Sequence, residues 1–395
     1  MRSLNRKTNS IHSVVQNRQC MSCGMCKTAC PMEAISMTYM DDGFFRPTIN
    51  EAKCIDCGKC LQTCPAEHQE KTALLGSFTR LCLAHSTNVN VRYNATSGGV
   101  VNSLLRYLLD KNVAEAVLLT QYSPESVIEA APKIVTKNTS YTLVEKTRDF
   151  ASRYVSVPVL SELRNYVTQY KRVAVVGTPC QIKAINLWGG VRNVDIFKIG
   201  ITCSGGMSYK ATEEYKRCQN LKISQMYYRG DGWPGKNCLL SSDNKIEFGH
   251  QGSLFERMFS SQIFKNPGCR FCMDHFAESA DISFCDFWNS QELANEKAGN
   301  SCVIIRSERL MNIFSKMQEN EYVEVVRELD EKELVESQYQ VLLAKKGDVR
   351  EKRKYRFFTE LIDTVFKYRL YKIFNIRIYR KFCSYYNQIC RGSHI

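Results

Sequence analysis

Eight cysteines fall into two copies of one spacing: Cys20-x-x-Cys23-x-x-Cys26-x-x-x-Cys30-Pro31 and Cys54-x-x-Cys57-x-x-Cys60-x-x-x-Cys64-Pro65. Three thiolates at two-residue gaps wrap one face of a cubic cluster, and the loop between them keeps backbone N–H groups free for its sulfides. The proline then turns the chain, and the fourth cysteine reaches across to the other run's cluster. The spacing therefore predicts two 4Fe–4S clusters, one on Cys20, Cys23, Cys26 and Cys64, the other on Cys54, Cys57, Cys60 and Cys30. Zinc is the alternative, but structural zinc sites show two separated Cys-x-x-Cys knuckles rather than triplets with a trailing Cys-Pro. Between the runs, Ile35–Tyr39 and Phe44–Ile49 flank Asp41-Asp42-Gly43, a hairpin signal. A chain stapled in this way folds around its clusters and passes electrons.

The 395 residues leave room for a second, larger domain, and 44% hydrophobic with 24% charged residues is ordinary for a soluble globular protein. The 19 cysteines are not ordinary. Met1-Arg2-Ser3-Leu4-Asn5-Arg6-Lys7 offers no apolar signal-peptide core, and no run of about 18 apolar residues follows. Metal-bound thiolates in a reducing cytoplasm are the expectation, with a disulfide scaffold the weaker alternative.

From about Thr79 the pattern changes. Ala95-Thr96-Ser97-Gly98-Gly99 opens the helical run Val100–Leu109, and a small-residue turn at a helix start can cradle phosphate or simply cap the helix. Val113–Thr120 reads as a strand, and Arg172–Val176 as a buried parallel strand ending in Gly177-Thr178-Pro179-Cys180-Gln181, with a helix beginning near Ile182. Phe197–Ile201 leads in the same way to Thr202-Cys203-Ser204-Gly205-Gly206. Strands ending in such turns and alternating with helices argue for an α/β layer structure with ligands at the strand C-termini. No GxGxxG is present, so the Rossmann dinucleotide fingerprint is unsupported. Cys269-Arg270-Phe271-Cys272, with Cys180 and Cys203 at strand ends, offers a third four-thiolate set. Taken alone, a Cys-x-x-Cys is equally consistent with zinc, a redox dithiol or buried thiols.

Taken together, these segments resemble the coenzyme F420 hydrogenase/dehydrogenase beta subunit family. The resemblance rests on Ser97-Gly98-Gly99-Val100, Ser152-Arg153-Tyr154-Val155, Gly177-Thr178-Pro179-Cys180-Gln181, Cys203, Arg229-Gly230-x-Gly232-Trp233, Cys269–Asp274 and Ala280-Asp281-Ile282-Ser283-x-x-Asp286-x-Trp288. It covers roughly residues 15 to 310 and implies a flavin domain holding FAD, with its own 4Fe–4S cluster on Cys180, Cys203, Cys269 and Cys272. It also implies flavin-side roles for Ser97, Gly98, Gly99, Arg153 and Thr178; no catalytic residue is assigned. Two departures stand out: Cys203-Ser204-Gly205 where many relatives read Cys-His-Gly, and Cys285-Asp286 where they read Gly-Asp.

The expected fold is an α+β ferredoxin-like two-cluster domain over 10–75, a larger α/β flavin-binding domain over 76–345 and a basic helical tail over 346–395. The expected function couples hydride transfer at FAD, from F420 or a similar small-molecule donor or acceptor, to one-electron transfer through the clusters. A ferredoxin or larger enzyme complex would be the redox partner. An electron-transfer subunit without its own substrate and a reductase of cell-envelope polysaccharide metabolism are the alternatives. Arg350–Ile395 carries twelve Lys/Arg against three Asp/Glu, and so +9 of the chain's +14. Interleaved with aromatics, that tail is either a peripheral membrane contact at the inner face or a surface helix docked on the flavin domain. Nucleic acid is disfavoured, since no recognised binding module accompanies the charge. Cys82, Cys218, Cys238, Cys285, Cys302, Cys383 and Cys390 remain, read mostly as buried thiols, and His250 and His275 as structural rather than acid–base groups.

Overall fold

The computed structural model describes residues 9–70, 73–219, 222–241, 244–250 and 253–346. The basic tail expected over 346–395 therefore lies, but for its first residue, outside the described residues. No helix among the described residues is long and apolar enough to cross a membrane.

The hairpin expected between the cysteine runs is present. Ile35–Tyr39 (β1) and Phe45–Ile49 (β2) pair antiparallel in full register, from Ile35 opposite Ile49 to Tyr39 opposite Phe45. The small core beside it gathers Ile11, Val14, Ala34 and Ile35 with Cys20, Cys26, Cys30, Cys60 and Cys64. This is a ferredoxin-like unit, in which the cysteines themselves make up much of the interior.

The larger region is mixed α/β. Its strands are β3 (Arg80–Ser86), β4 (Ala116–Tyr122), β5 (Ala130–Thr136), β6 (Arg172–Gly177), β7 (Asp195–Ile201), β8 (Gln225–Tyr227), β9 (Lys236–Leu240), β10 (Lys245–Gly249), β11 (Ile282–Asp286), β12 (Ser301–Ile305) and β13 (Val323–Glu328). Eight of them form one sheet in the order β13-β3-β12-β11-β7-β6-β4-β5, and β10-β9-β8 form a small antiparallel sheet apart. β4, β6, β7 and β11 are mutually parallel, β12 runs against β11, and β3 runs against β12. β3 therefore points the same way as the parallel four.

The sheet is buried on both faces because alternate residues of its apolar strands enter two different cores. Leu118, Val173 and Val175 pack with Ile182 and Ile185 of the helix Pro179–Trp188. Val117, Leu119 and Ala174 pack with Leu104 and Leu108 of the helix Val100–Asp110 and with Phe314 of the helix Glu308–Glu319. The helix after β6 starts at Pro179 rather than near Ile182, because Thr178 and Gln181 form a reciprocal cap and proline suits the first helical position.

The ferredoxin-like unit is fastened to the sheet region by hydrogen bonds and an ion pair. Leu160 N–H donates to Cys23 O at 3.1 Å, and Thr28 Oγ1 donates to Leu160 O at 2.5 Å. Arg46 Nη1 donates to Cys20 O at 2.8 Å within the unit and across the seam to Asn266 Oδ1 at 3.3 Å. The Lys27–Glu162 ion pair closes the same seam at 2.6 Å.

Candidate redox and cofactor site

Each cysteine run builds its loop with the same two left-handed residues. Ser22 and Asp56 stand at φ +60° and +55°, and Gly24 and Gly58 at +88° and +72°. Gly24 and Gly58 each precede a short helix, Met25–Ala29 and Lys59–Gln62. Successive turns of alternating hand aim backbone N–H groups inward, which suits a negatively charged cluster. Ser22 N–H points at Cys20 Sγ (3.5 Å) and Ala34 N–H at Cys30 Sγ (3.3 Å).

The thiols gather into two hollows. Cys20, Cys23, Cys26 and Cys64 line one, with Met21, Gly24 and Met25 beside them. Cys30, Cys54, Cys57 and Cys60 line the other, with Ile35, Ile49 and Gly58. The fourth cysteine of each run thus crosses to the other run's hollow. Each hollow is a soft, all-thiolate set, which suits an iron–sulfur cluster.

Cys180, Cys203, Cys269 and Cys272 also come together. Cys180 opens the helix after β6, Cys203 follows β7, and Cys269 lies in the turn Pro267–Arg270. The electrostatic neighbours of Cys180 are Cys23, Cys272 and Cys269, and those of Cys203 include Cys269 and Cys272. Burial pushes the Cys203 thiol up to about 11, against a pull downward from Lys345, and raises Cys180 as well. Gly206 N–H donates to Cys269 Sγ at 3.4 Å, and Thr178 Oγ1 lies 3.3 Å from Cys180 Sγ. This set adjoins the first hollow through Cys23, and Cys26 has Cys60 of the second hollow among its neighbours.

The C-terminal ends of β3, β4, β6, β7 and β11 share one edge of the sheet, the edge where α/β sheets bind ligands. The turn over 96–99 sits there. Ser97 Oγ bonds Ser301 Oγ at 3.0 Å, and a side chain on Gly98 would meet Ser301 N at 2.6 Å and Ala84 O at 2.7 Å. Gly99, at φ +75°, caps the helix Val100–Asp110. Ser152 N–H donates to Thr96 Oγ1 at 2.8 Å, which brings Arg153 alongside the turn. The Arg153 guanidinium lies over Tyr122, Tyr227 and Tyr228 and donates from Nη1 to Met226 O at 3.0 Å. Its Nε and Nη2 are buried without a hydrogen-bond partner, and burial lowers its pKa. Thr178 is committed to the helix cap and to Cys180, so among the expected flavin-side residues it stands with the thiols.

In the sequence Arg229 is only one member of a motif, yet in the structure it is a centre of this edge. It is 1% exposed, donates to Asp286 Oδ2 at 3.1 Å, Tyr154 Oη at 3.3 Å and Thr96 O at 3.0 Å, and lies over Trp233 and Trp288. His250 stacks on Tyr154 and Trp288, and burial, with Arg229 nearby, lowers its pKa to about 3. Asp281 is elsewhere, just before the start of β11, accepting from Lys198 N–H in the middle of β7. Cys285 is buried opposite Cys302 in the β11–β12 register and donates to Asp286 O at 2.9 Å. His275 reaches the end of β7, with Nδ1 3.1 Å from Cys203 O. His275 is likewise lowered to about 3, by burial first and by Lys345 next.

Comparison with known proteins joins these parts. The family models for the N- and C-terminal portions of the coenzyme F420 hydrogenase/dehydrogenase beta subunit match residues 81–164 and 170–331. The chain belongs to this family. A 4Fe–4S dicluster domain matches residues 19–68, which hold all eight cysteines of the two runs. Among relatives of the family, the coenzyme F420 hydrogenase subunit beta of Methanococcus voltae is 26% identical over 62% of this chain and 82% of its own length. A subunit of the F(420)H(2) dehydrogenase of Methanosarcina mazei is 26% identical over 75% and 85%. A chain of the F420-reducing [NiFe] hydrogenase complex of Methanosarcina barkeri shares the fold, with a TM-score of 0.54 at 20% identity over 73% of this chain and 96% of that one.

Proposed function

We propose that this beta-subunit-family chain is an iron–sulfur flavoprotein oxidoreductase, coupling hydride exchange at FAD to one-electron transfer through three 4Fe–4S clusters. The observation that carries the reading is the contiguity of the thiol sets: Cys180 neighbours Cys23, and Cys26 neighbours Cys60. Flavin exchanges electrons in pairs or singly and clusters singly, which is the chemistry these groups supply when bound.

The proposed division of labour gives residues 10–75 the two outer clusters and residues 76–345 the flavin and the third cluster. Cys20, Cys23, Cys26 and Cys64, then Cys54, Cys57, Cys60 and Cys30, hold the first two. Cys180, Cys203, Cys269 and Cys272 hold the third. For FAD, the support is the sheet edge: the Arg153 nitrogens Nε and Nη2, Arg229 Nε and His250 Nδ1 are buried there without partners, which suits an acceptor-rich ligand. Gly98 and Gly99 let the turn seat directly on Ser301, Ala84 and Val91, which holds Ser97 and the turn's backbone at the edge, and Tyr154, Trp233 and Trp288 add aromatic surface there.

Relatives named as subunits of hydrogenases and dehydrogenases support a protein redox partner, with F420 or a similar small molecule as the hydride donor or acceptor. The free cysteines support a reducing, cytoplasmic location.

Anaerobic reconstitution with iron, sulfide and FAD should give about twelve irons and one flavin per chain. About eight irons and no flavin would overturn the reading. Reduction of the bound flavin by reduced F420 or nicotinamide, without partner proteins, separates an enzyme with its own substrate from a pure electron-transfer subunit.

A further inference from the structure

The helix Tyr339–Lys346 lies beyond residue 331, where the match to the family ends, yet it reaches the third thiol set. Leu342 buries into the core beside Phe276, Cys285 and Phe287. Just before it, Gln338 donates to Asp286 O at 2.7 Å and meets His275 Nε2 at 3.2 Å. Lys346 donates to Ala73 O at 2.6 Å and Leu74 O at 3.1 Å, and pairs with Glu278. Between these anchors Lys345, 5% exposed, is turned inward. Its Nζ lies 3.5 Å from Cys272 Sγ and 2.6 Å from Asp274 O, and Cys203 and Cys269 are among its electrostatic neighbours.

An ammonium withdrawn from water loses its hydration and is retained where anions compensate it. Four thiolates around a cluster are such anions, and each added electron makes the group more negative. Lys265 brings a second cation to Cys269 and Cys203, while Asp274 is the nearby carboxylate.

We propose that Lys345 is a positioning residue for the third thiolate set. Held at Cys272 Sγ by the helix after the family core, its ammonium favours the reduced form of a cluster on Cys180, Cys203, Cys269 and Cys272. It thereby raises that cluster's reduction potential. The step is uptake of one electron from a one-electron donor, with no bond or proton changed at Lys345. This rests on the three-cluster reading above.

The test is a spectroscopically monitored potentiometric titration of the full reconstituted chain, with iron counted in each sample, for wild type, Lys345→Met and Lys345→Arg. With about twelve irons in each, the methionine variant should weaken one cluster's reduction equilibrium about tenfold, about 59 mV for one electron. The arginine variant should stay near wild type. Three unchanged potentials in Lys345→Met at full iron would overturn the proposal. If the methionine variant drops to about eight irons, the arginine variant decides. Full iron at the wild-type potential sustains the compensating charge, and iron loss or a methionine-like shift overturns it. A wild-type chain holding only about eight irons removes the third cluster itself, a failure of the underlying reading that the iron count alone identifies.

Discussion

Arg229 donates to the Asp286 carboxylate at 3.1 Å from a position that is 1% exposed, and so joins the loop after β8 to the end of β11. Removing one partner of such a pair leaves the other charge buried and costs about 3–5 kcal/mol. Asp286 keeps 22% side-chain exposure, which places Arg229→Met near the lower end. Lysine cannot serve Asp286, Tyr154 and Thr96 with one fork, so Arg229→Lys should recover only part of the loss. Urea unfolding of the three proteins checks this; an unchanged midpoint in Arg229→Met would show that the pair holds nothing.

If a third cluster sits on Cys180, Cys203, Cys269 and Cys272 as proposed, Cys180→Ser should cost about four of twelve irons and leave the dicluster signal in place, since none of those residues belongs to the first two sets. Cys57→Ser should also cost about four irons, but from the set on Cys54, Cys57, Cys60 and Cys30, sparing the set at Cys20 and the one at Cys180. Iron analysis beside the visible and paramagnetic spectra separates the two, and loss of all iron from either variant would contradict independent sets.

The cysteine hollows were legible in sequence because the ligand spacing is local and the crossing of Cys30 and Cys64 follows from the repeat. The sheet edge was legible only in outline. Strands β4, β6 and β7 announce themselves as apolar runs, but β3, β12 and β13 enter the same sheet from distant segments, and only their pairing puts Ser301 beside Ser97. Arg229 could have been suspected from its Gly-x-Gly-Trp surroundings, which place a long cation among turn residues next to an aromatic. Lys345 carried no such sign, because it sits in a short run of ordinary helix formers and acquires meaning only from Cys272, 73 residues away.

Gly268→Ala should loosen the seam between the cluster unit and the sheet region. A Cβ there would stand 2.5 Å from both the Gln19 and Cys20 carbonyl oxygens, backbone atoms that cannot swing aside. Overpacking of this kind costs about 1–3 kcal/mol. The variant should show faster limited proteolysis between residues 69 and 78 than wild type, while a cleavage rate equal to wild type would mean that the seam absorbs the methyl group.

His250 makes stability depend on acid. Burial, with Arg229 beside it, holds its folded pKa at about 3, whereas an unfolded histidine titrates near 6.5. Below about pH 6.5 the unfolded chain binds a proton that the folded chain refuses, so this part of the stability is complete above that pH and declines as pH falls toward 3. The slope is about 1.4 kcal/mol per pH unit, or about 2 kcal/mol between pH 7 and pH 5. His275, with the same direction of shift, adds a like decline that persists when His250 is replaced. Wild type should therefore lose about 2 kcal/mol more than His250→Gln between those two pH values, read from urea unfolding at each. Equal losses in the two proteins would mean that the imidazole, stacked between Tyr154 and Trp288, is able to take up its proton in the folded state.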